Sequence, residues 1–338
     1  MLRDVYNRHI RPRIVPFQLT TAATPSCTVN IGYGSLTATR SGTAGAGTIT
    51  PKTPFTRGGM LFMGQTSTTG GYATYNTTTG SSSSFAYSML ANGGVATDGA
   101  GDGFLFGWDS SDVSYSAKQD LLCTFNYPKM IWGKITGATG AVAIGKGDFT
   151  CTRTGTGIYS IRFSVCFGMI PVVIATGIAA AAASTAKVTN KTAYGCTITM
   201  ATQAAAADQD FYIVAIGQRS RSDAGRIRAV MATTQRKTRI VAATITNTGG
   251  TWSLTNGSYD VSSTITDTGA GDFSITLLEP FKREPIVIAT TTTQRAQCGA
   301  AATTSVVRIQ TRAAGGATTD TNGITNVFII GSDDVCEY

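Results

Sequence analysis

Pro171-Val-Val-Ile-Ala-Thr176 returns as Pro285-Ile-Val-Ile-Ala-Thr290, and the residues around the two phrases return with them. Each phrase follows a Gly-containing turn, an alternating segment and a Phe. In one copy these are Gly157-Ile-Tyr-Ser-Ile-Arg-Phe163 and Phe167, in the other Asp272-Phe-Ser-Ile-Thr-Leu277 and Phe281. Each is followed by an apolar segment that closes on Gly, Asp210-Phe-Tyr-Ile-Val-Ala-Ile-Gly217 and Asn326-Val-Phe-Ile-Ile-Gly331. A more divergent copy at the front has Gly47-Thr-Ile-Thr50, Phe55, Met60-Leu-Phe-Met-Gly-Gln65 and Gly103-Phe-Leu-Phe-Gly107. From Phe to closing Gly the separations are 52, 50 and 50 residues, and the Phe residues stand 112 and 114 apart. Repeats this long are whole domains, not solenoid units, whose periods run roughly 20–50 residues.

The 338 residues therefore divide into a basic N-terminal arm at 1–16 and three domains, at 17–120, at 121–220 and at 221–338, the last opening with an Arg-rich junction. Short runs of Thr, Val, Ile, Phe and Tyr punctuated by Gly are the composition of pleated, half-buried strands, and strong helix formers are scarce. The expected fold class is all-β, as three tandem β-sandwich or jelly-roll-like domains. Pro171–Ala175 and Phe211–Ile216 are apolar at almost every position, which predicts strands covered on both faces. One cover is the domain's own core; the other is a neighbouring domain or subunit. The Ala runs 179–183 and 204–207 favour helix by propensity alone, but their Ser, Thr and Gly neighbours place them in loops or strand ends.

Net charge is +8, with two clusters of arginine. Arg3, Arg8, Arg11 and Arg13 lie in the arm, where Pro12 and Pro16 favour an extended path. Arg219, Arg221, Arg226 and Arg228 open the junction between the second and third copies. These eight residues are the expected contacts to an acidic partner surface or a neighbouring subunit. Nucleic acid as the main partner is disfavoured, because no zinc-finger spacing, RNP-type aromatic pattern or helix-turn-helix accompanies the charge. The seven Cys do not recur at matching repeat positions, as a disulfide framework inherited with the domain would, so reduced thiols in a chain assembled in a reducing cytosol are expected. The first residues lack a signal peptide's apolar core, and no apolar run approaches the roughly 20 residues of a membrane span.

No catalytic set is legible. The single His, His9, sits between Arg8 and Ile10 in the arm, away from any Ser or Cys nucleophile of the domains. Asp98-Gly-Ala-Gly-Asp102 and Asp267-Thr-Gly-Ala-Gly-Asp272 resemble one another and have the oxygens to ligate calcium with loop carbonyls, but they occupy different places in their repeats and read better as Gly-rich turns capped by Asp. No phosphate-binding Gly loop and no CxxC or Cys/His cluster is present, so the reading includes no enzyme activity, cofactor or metal. Trp252 beside a Gly-Gly turn, together with Tyr259, is the candidate pair for stacking against a sugar, with burial in a core as the alternative for Trp252.

The order Gly-x-Tyr-x-Ile-x-Phe, Phe, Pro-x-Val-Ile-Ala-Thr and the closing strand Asp210–Gly217 resembles β-sandwich modules in virion proteins of tailed bacteriophages, especially head decoration proteins and tail-fibre segments. The match is good over 147–217, moderate over 264–331 and poor over 47–107. The resemblance implies a structural role in the virion, with no catalytic residue to carry over. Two functions are expected from it. One is a decoration or cement protein that binds the major capsid protein and neighbouring copies of itself, as a homo-oligomer or in many copies on a particle assembled in the host cytoplasm. The other is a fibre or adhesin module that recognises a host cell-surface glycan.

Overall fold

A computed structural model describes residues 10–21, 27–32, 36–55, 57–65, 72–75, 83–91, 95–110, 129–145, 148–178, 184–202, 205–217, 238–257, 261–292, 295–298, 302–312 and 323–332. Among these the protein is all-β, built from antiparallel sheets. The strands fall into three blocks. The first holds β1 (Ile10–Thr21), β2 (Cys27–Gly32), β3 (Leu36–Arg40), β4 (Ala46–Pro51), β5 (Arg57–Gln65), β6 (Tyr72–Tyr75), β7 (Phe85–Leu90) and β8 (Ala100–Ser110). The second holds β9 (Lys129–Thr136), β10 (Ala141–Ile144), β11 (Phe149–Gly155), β12 (Ile158–Phe163), β13 (Val172–Gly177), β14 (Ser184–Thr192), β15 (Gly195–Thr202), β16 (Ala205–Ala206) and β17 (Phe211–Gly217). The third holds β18 (Thr238–Thr248), β19 (Thr251–Gly257), β20 (Val261–Gly269), β21 (Asp272–Leu277), β22 (Ile286–Thr291), β23 (Arg295–Cys298), β24 (Val306–Arg312) and β25 (Gly323–Ser332).

Strand order repeats from block to block. One sheet runs β2-β1-β8-β5, β10-β9-β17-β13 and β19-β18-β25-β22; the other runs β3-β4-β7-β6, β11-β12-β15-β14 and β20-β21-β24-β23. Registers repeat as well. Met60, Val172 and Ile286 face Phe106, Ile216 and Ile330 across equivalent strand pairs. The two Pro phrases thus enter equivalent strands, and Phe55, Phe167 and Phe281 are buried at equivalent corners. Gly45, Gly157 and Gly271 hold φ of 66°, 67° and 64° at the turn before β4, β12 and β21, a conformation that any side chain would strain. Each offers its carbonyl to a strand across the sheet, to the amides of Met89, Met200 and Thr311.

Alternation sorts each first sheet into two faces. In the second block Ile131, Ile135, Val173, Phe211, Ile213 and Ala215 meet the block's other sheet through Phe149, Tyr159, Ile161 and Ile198. The opposite face, with Val172, Ile174, Tyr212, Val214 and Ile216, enters a cluster shared with Met60, Phe62, Phe104 and Phe106 of the first block and Ile286, Ile288, Phe328 and Ile330 of the third. Phe328 makes edge contacts with Phe62, Phe104 and Phe106 at centroid distances of 5.5, 5.1 and 5.6 Å. The second cover expected for the continuous apolar strands is therefore a neighbouring block of the same chain. Each fully buried Phe or Ile side chain there contributes about 1.5–3 kcal/mol.

The expected N-terminal arm is corrected in part. From Ile10 onward it is a strand of the first block, paired residue for residue with β8 from Ile10↔Ser110 to Thr20↔Ala100. Its prolines misled the reading. Among the described residues β2 pairs β1 only from Phe17 onward, so Pro12 and Pro16 have a described ladder on one side of the strand alone, a position in which a missing N–H is tolerated. Residues 1–9 are outside the described residues.

Candidate functional site

The three corners at Phe55, Phe167 and Phe281 share one construction. The closing Gly of each repeat lies against the ring: a Cβ on Gly217 or Gly331 would come within 2.7 or 2.6 Å of the Phe167 or Phe281 ring, and Gly107 leaves even less room beside Phe55. Directly across the ladder from that Gly stands a cation, Arg13, Lys129 or Arg239. It lies over the ring at 4.2, 5.0 or 4.1 Å from the centroid. Each also donates to the carbonyl two residues before the Phe: Arg13 Nη2 to Thr53 at 2.7 Å, Lys129 Nζ to Val165 at 2.6 Å and Arg239 Nη2 to Glu279 at 2.7 Å. A cation over an aromatic face contributes about 0.5–2 kcal/mol. Arg13, expected at a partner surface, is thus engaged within its own block. The repeated signal that sequence reading missed was a Lys or Arg near the start of each block's first strand.

The blocks meet through one position of the closing strand, occupied by Asp102, Tyr212 and Asn326, whose ladder partners are Gly64, Thr176 and Thr290. Asp102 accepts from Val173 N of the second block at 2.9 Å and pairs with Lys191. It is 1% exposed; burial raises its pKa, against the attraction of Lys191 and the Val173 amide. Tyr212 donates to Glu284 of the third block at 3.1 Å and accepts from Ala302 N at 3.0 Å, and Lys134 pairs with the same Glu284 at 2.7 Å. Asn326 donates to Leu61 O of the first block at 3.4 Å, reinforced by Thr290 Oγ1 at 2.9 Å. First to second, second to third and third to first, the head-to-tail contact closes into a ring.

Of the acids in the two Gly-rich segments, Asp98 and Asp272 serve pairs within their own blocks, as does Asp208 elsewhere in the second block. Asp98 accepts from Gly45 N at 2.8 Å and from Arg40, and these bonds hold its pKa below the usual carboxylate range. Asp208, bound by Arg153, Gly157 N and Tyr159, is held well below that range. Burial opposes ionisation of Asp272, but Arg308, Gln310 and Thr268 outweigh it and lower its pKa.

Trp252, the stacking candidate, is buried at 7% exposure with its ring 4.2 Å from that of Phe273, so its face is not open to a sugar. Of Arg11 the structure describes the backbone, in β1. Arg3, Arg8, Arg219, Arg221, Arg226, Arg228 and Tyr259 lie outside the described residues.

One concavity stands apart from the seams. At a corner of the second block an open space of ≈ 570 Å³ is lined by Thr150, Arg162, Ser164, Cys166 and Tyr194, with Phe163 and Val165 beside them. The backbone of two of its lining residues is held by Lys129, whose ammonium donates to Cys166 O at 3.3 Å as well as to Val165 O. No protein-family model, curated protein or solved structure matches the chain.

Proposed function

We propose that the chain is a non-enzymatic structural protein of a tailed-phage particle: three tandem β-sandwich domains closed into a ring, which coats or cements the head shell in many copies. The observation that carries this reading is the closure of three like blocks on a shared apolar centre. The faces that would otherwise make the repeated domain associate with copies of itself are buried inside one chain. What the chain presents outward is the second sheet of each block, polar along exposed positions such as Thr37, Thr39, Thr152 and Ser160. A rigid polar body of this kind suits docking by surface complementarity onto a repeated shell, where many weak contacts add. The proposed partners are the major capsid protein and neighbouring copies of the chain on the virion, with no cofactor.

Localising the protein on purified particles by cryo-electron microscopy tests the reading. Particles made without it are expected to lack density over the head and to release their genome at lower temperature. Density confined to the tail tip, with head stability unchanged and adsorption to cells lost, would replace the cement reading with the receptor-binding one.

A further inference from the structure

The second and third blocks share the backbone of one corner but not its side chains. In the second, Phe163 N donates to Tyr194 O at 2.8 Å and Phe167 N to Ala193 O at 2.9 Å; in the third, Leu277 N donates to Ser305 O at 2.8 Å and Phe281 N to Thr304 O at 2.7 Å. Tyr194 therefore stands where the third block has Ser305, and Arg162, one residue before Phe163, stands where it has Thr276. The frame folds with a hydroxyl at each place, so neither the guanidinium nor the phenol is demanded by the fold. Both are nevertheless displayed on one concavity. Tyr194 is 67% exposed, and Arg162 is exposed with no ion-pair or hydrogen-bond partner among the described residues. Directly across the ladder from Arg162 is Gly195, where a Cβ would come within 2.1 Å of the Ile161 carbonyl oxygen, so the fold itself requires the glycine; on the other side is Thr150.

We propose that this concavity binds an acidic hexopyranose, a ring sugar that carries a carboxylate. A guanidinium is a planar fork that matches a carboxylate with two parallel bonds. An exposed phenol ring offers an apolar face to the C–H side of a pyranose while its hydroxyl stays in water. Thr150 and Ser164 supply hydroxyls that both donate and accept, as sugar hydroxyls require. The space is of the size of small-ligand sites, about 300–1,000 Å³, and Lys129 holds the Val165 and Cys166 carbonyls on one side of it. The inference is independent of where the protein sits on a particle.

The test uses the full chain and free glucuronic acid, with glucose as the uncharged control, in ligand-observed saturation-transfer NMR titrations. Glucuronate is expected to bind saturably, in the about millimolar range for one sugar, and about tenfold more tightly than glucose. Arg162→Thr and Tyr194→Ser install the third block's residues at exposed positions, and thermal melting confirms that both variants fold. Arg162→Thr should bring glucuronate down to the level of glucose, and Tyr194→Ser should abolish saturable binding of both. Absence of saturable glucuronate binding, or binding indifferent to both substitutions, overturns the proposal. Acetate or a glutamate-containing tripeptide binding as tightly as glucuronate overturns the pyranose assignment and makes the corner a carboxylate or peptide site.

Discussion

Cys196 shows how a residue that looks reactive in a list of letters becomes inert in place. It lies on β15, 5% exposed, beside the seam where Asp102 meets Lys191. Burial first, then the negative charge of Asp102, pushes its thiol pKa up to about 12. An unfolded thiol ionises near pH 8.5. Between those values the unfolded chain sheds a proton that the folded chain keeps, so stability is complete below about pH 8.5 and falls as pH rises above it, by up to about 1.4 kcal/mol per pH unit for this group. Denaturant midpoints of the native chain and of Cys196→Ala should therefore converge as pH is raised from 8 to 10. A difference that stays constant over that window would show that the thiol ionises equally in both states. Sequence reading expected reduced thiols from their failure to recur; the burial that mainly silences this one is the second block's own core, and the charge of Asp102, from the first block, adds a contribution that no local pattern announces.

At the scale of elements, what was legible was whatever repeats along the chain. Matched phrases fixed equivalent strands, and near-continuous apolar runs at Pro171–Ala175 and Phe211–Ile216 predicted double cover because a half-buried strand alternates and these do not. The seams were illegible for the opposite reason: their residues differ at each occurrence. Asp102, Tyr212 and Asn326 share a position only once registers are known, and each meets its neighbour with different chemistry. Trp252 was ambiguous because polar flanks of a hairpin do not reveal the Phe273 ring beneath. The first seam allows a sharp test. Removing the carboxylate in Asp102→Ala leaves the Lys191 ammonium and the Val173 amide without it, a loss of about 3–5 kcal/mol for a broken buried pair. Asp102→Asn keeps an oxygen for the Val173 amide and installs the residue that the third block uses, so it should cost clearly less. Equal losses for the two variants in urea denaturation would mean that the charge, not the amide bond, holds the seam.

The whole molecule follows from how these seams close. A linear string of independent domains would unfold domain by domain, each with its own core and midpoint. Here the second block's apolar strands are covered on one face by their own sheet and on the other by residues of the first and third blocks, and Phe328 of the last closing strand packs on Phe62, Phe104 and Phe106 of the first block. Unfolding any one block exposes the shared face of the other two, a loss that each buried aromatic or branched side chain makes larger by about 1.5–3 kcal/mol. The three blocks are therefore expected to melt as one cooperative unit. Scanning calorimetry of the full chain should give one transition whose calorimetric and van't Hoff enthalpies agree. Separate transitions, or a van't Hoff enthalpy about one third of the calorimetric value, would show that the blocks unfold independently, and the closed ring would then be no more than a weak association of three separate folding units.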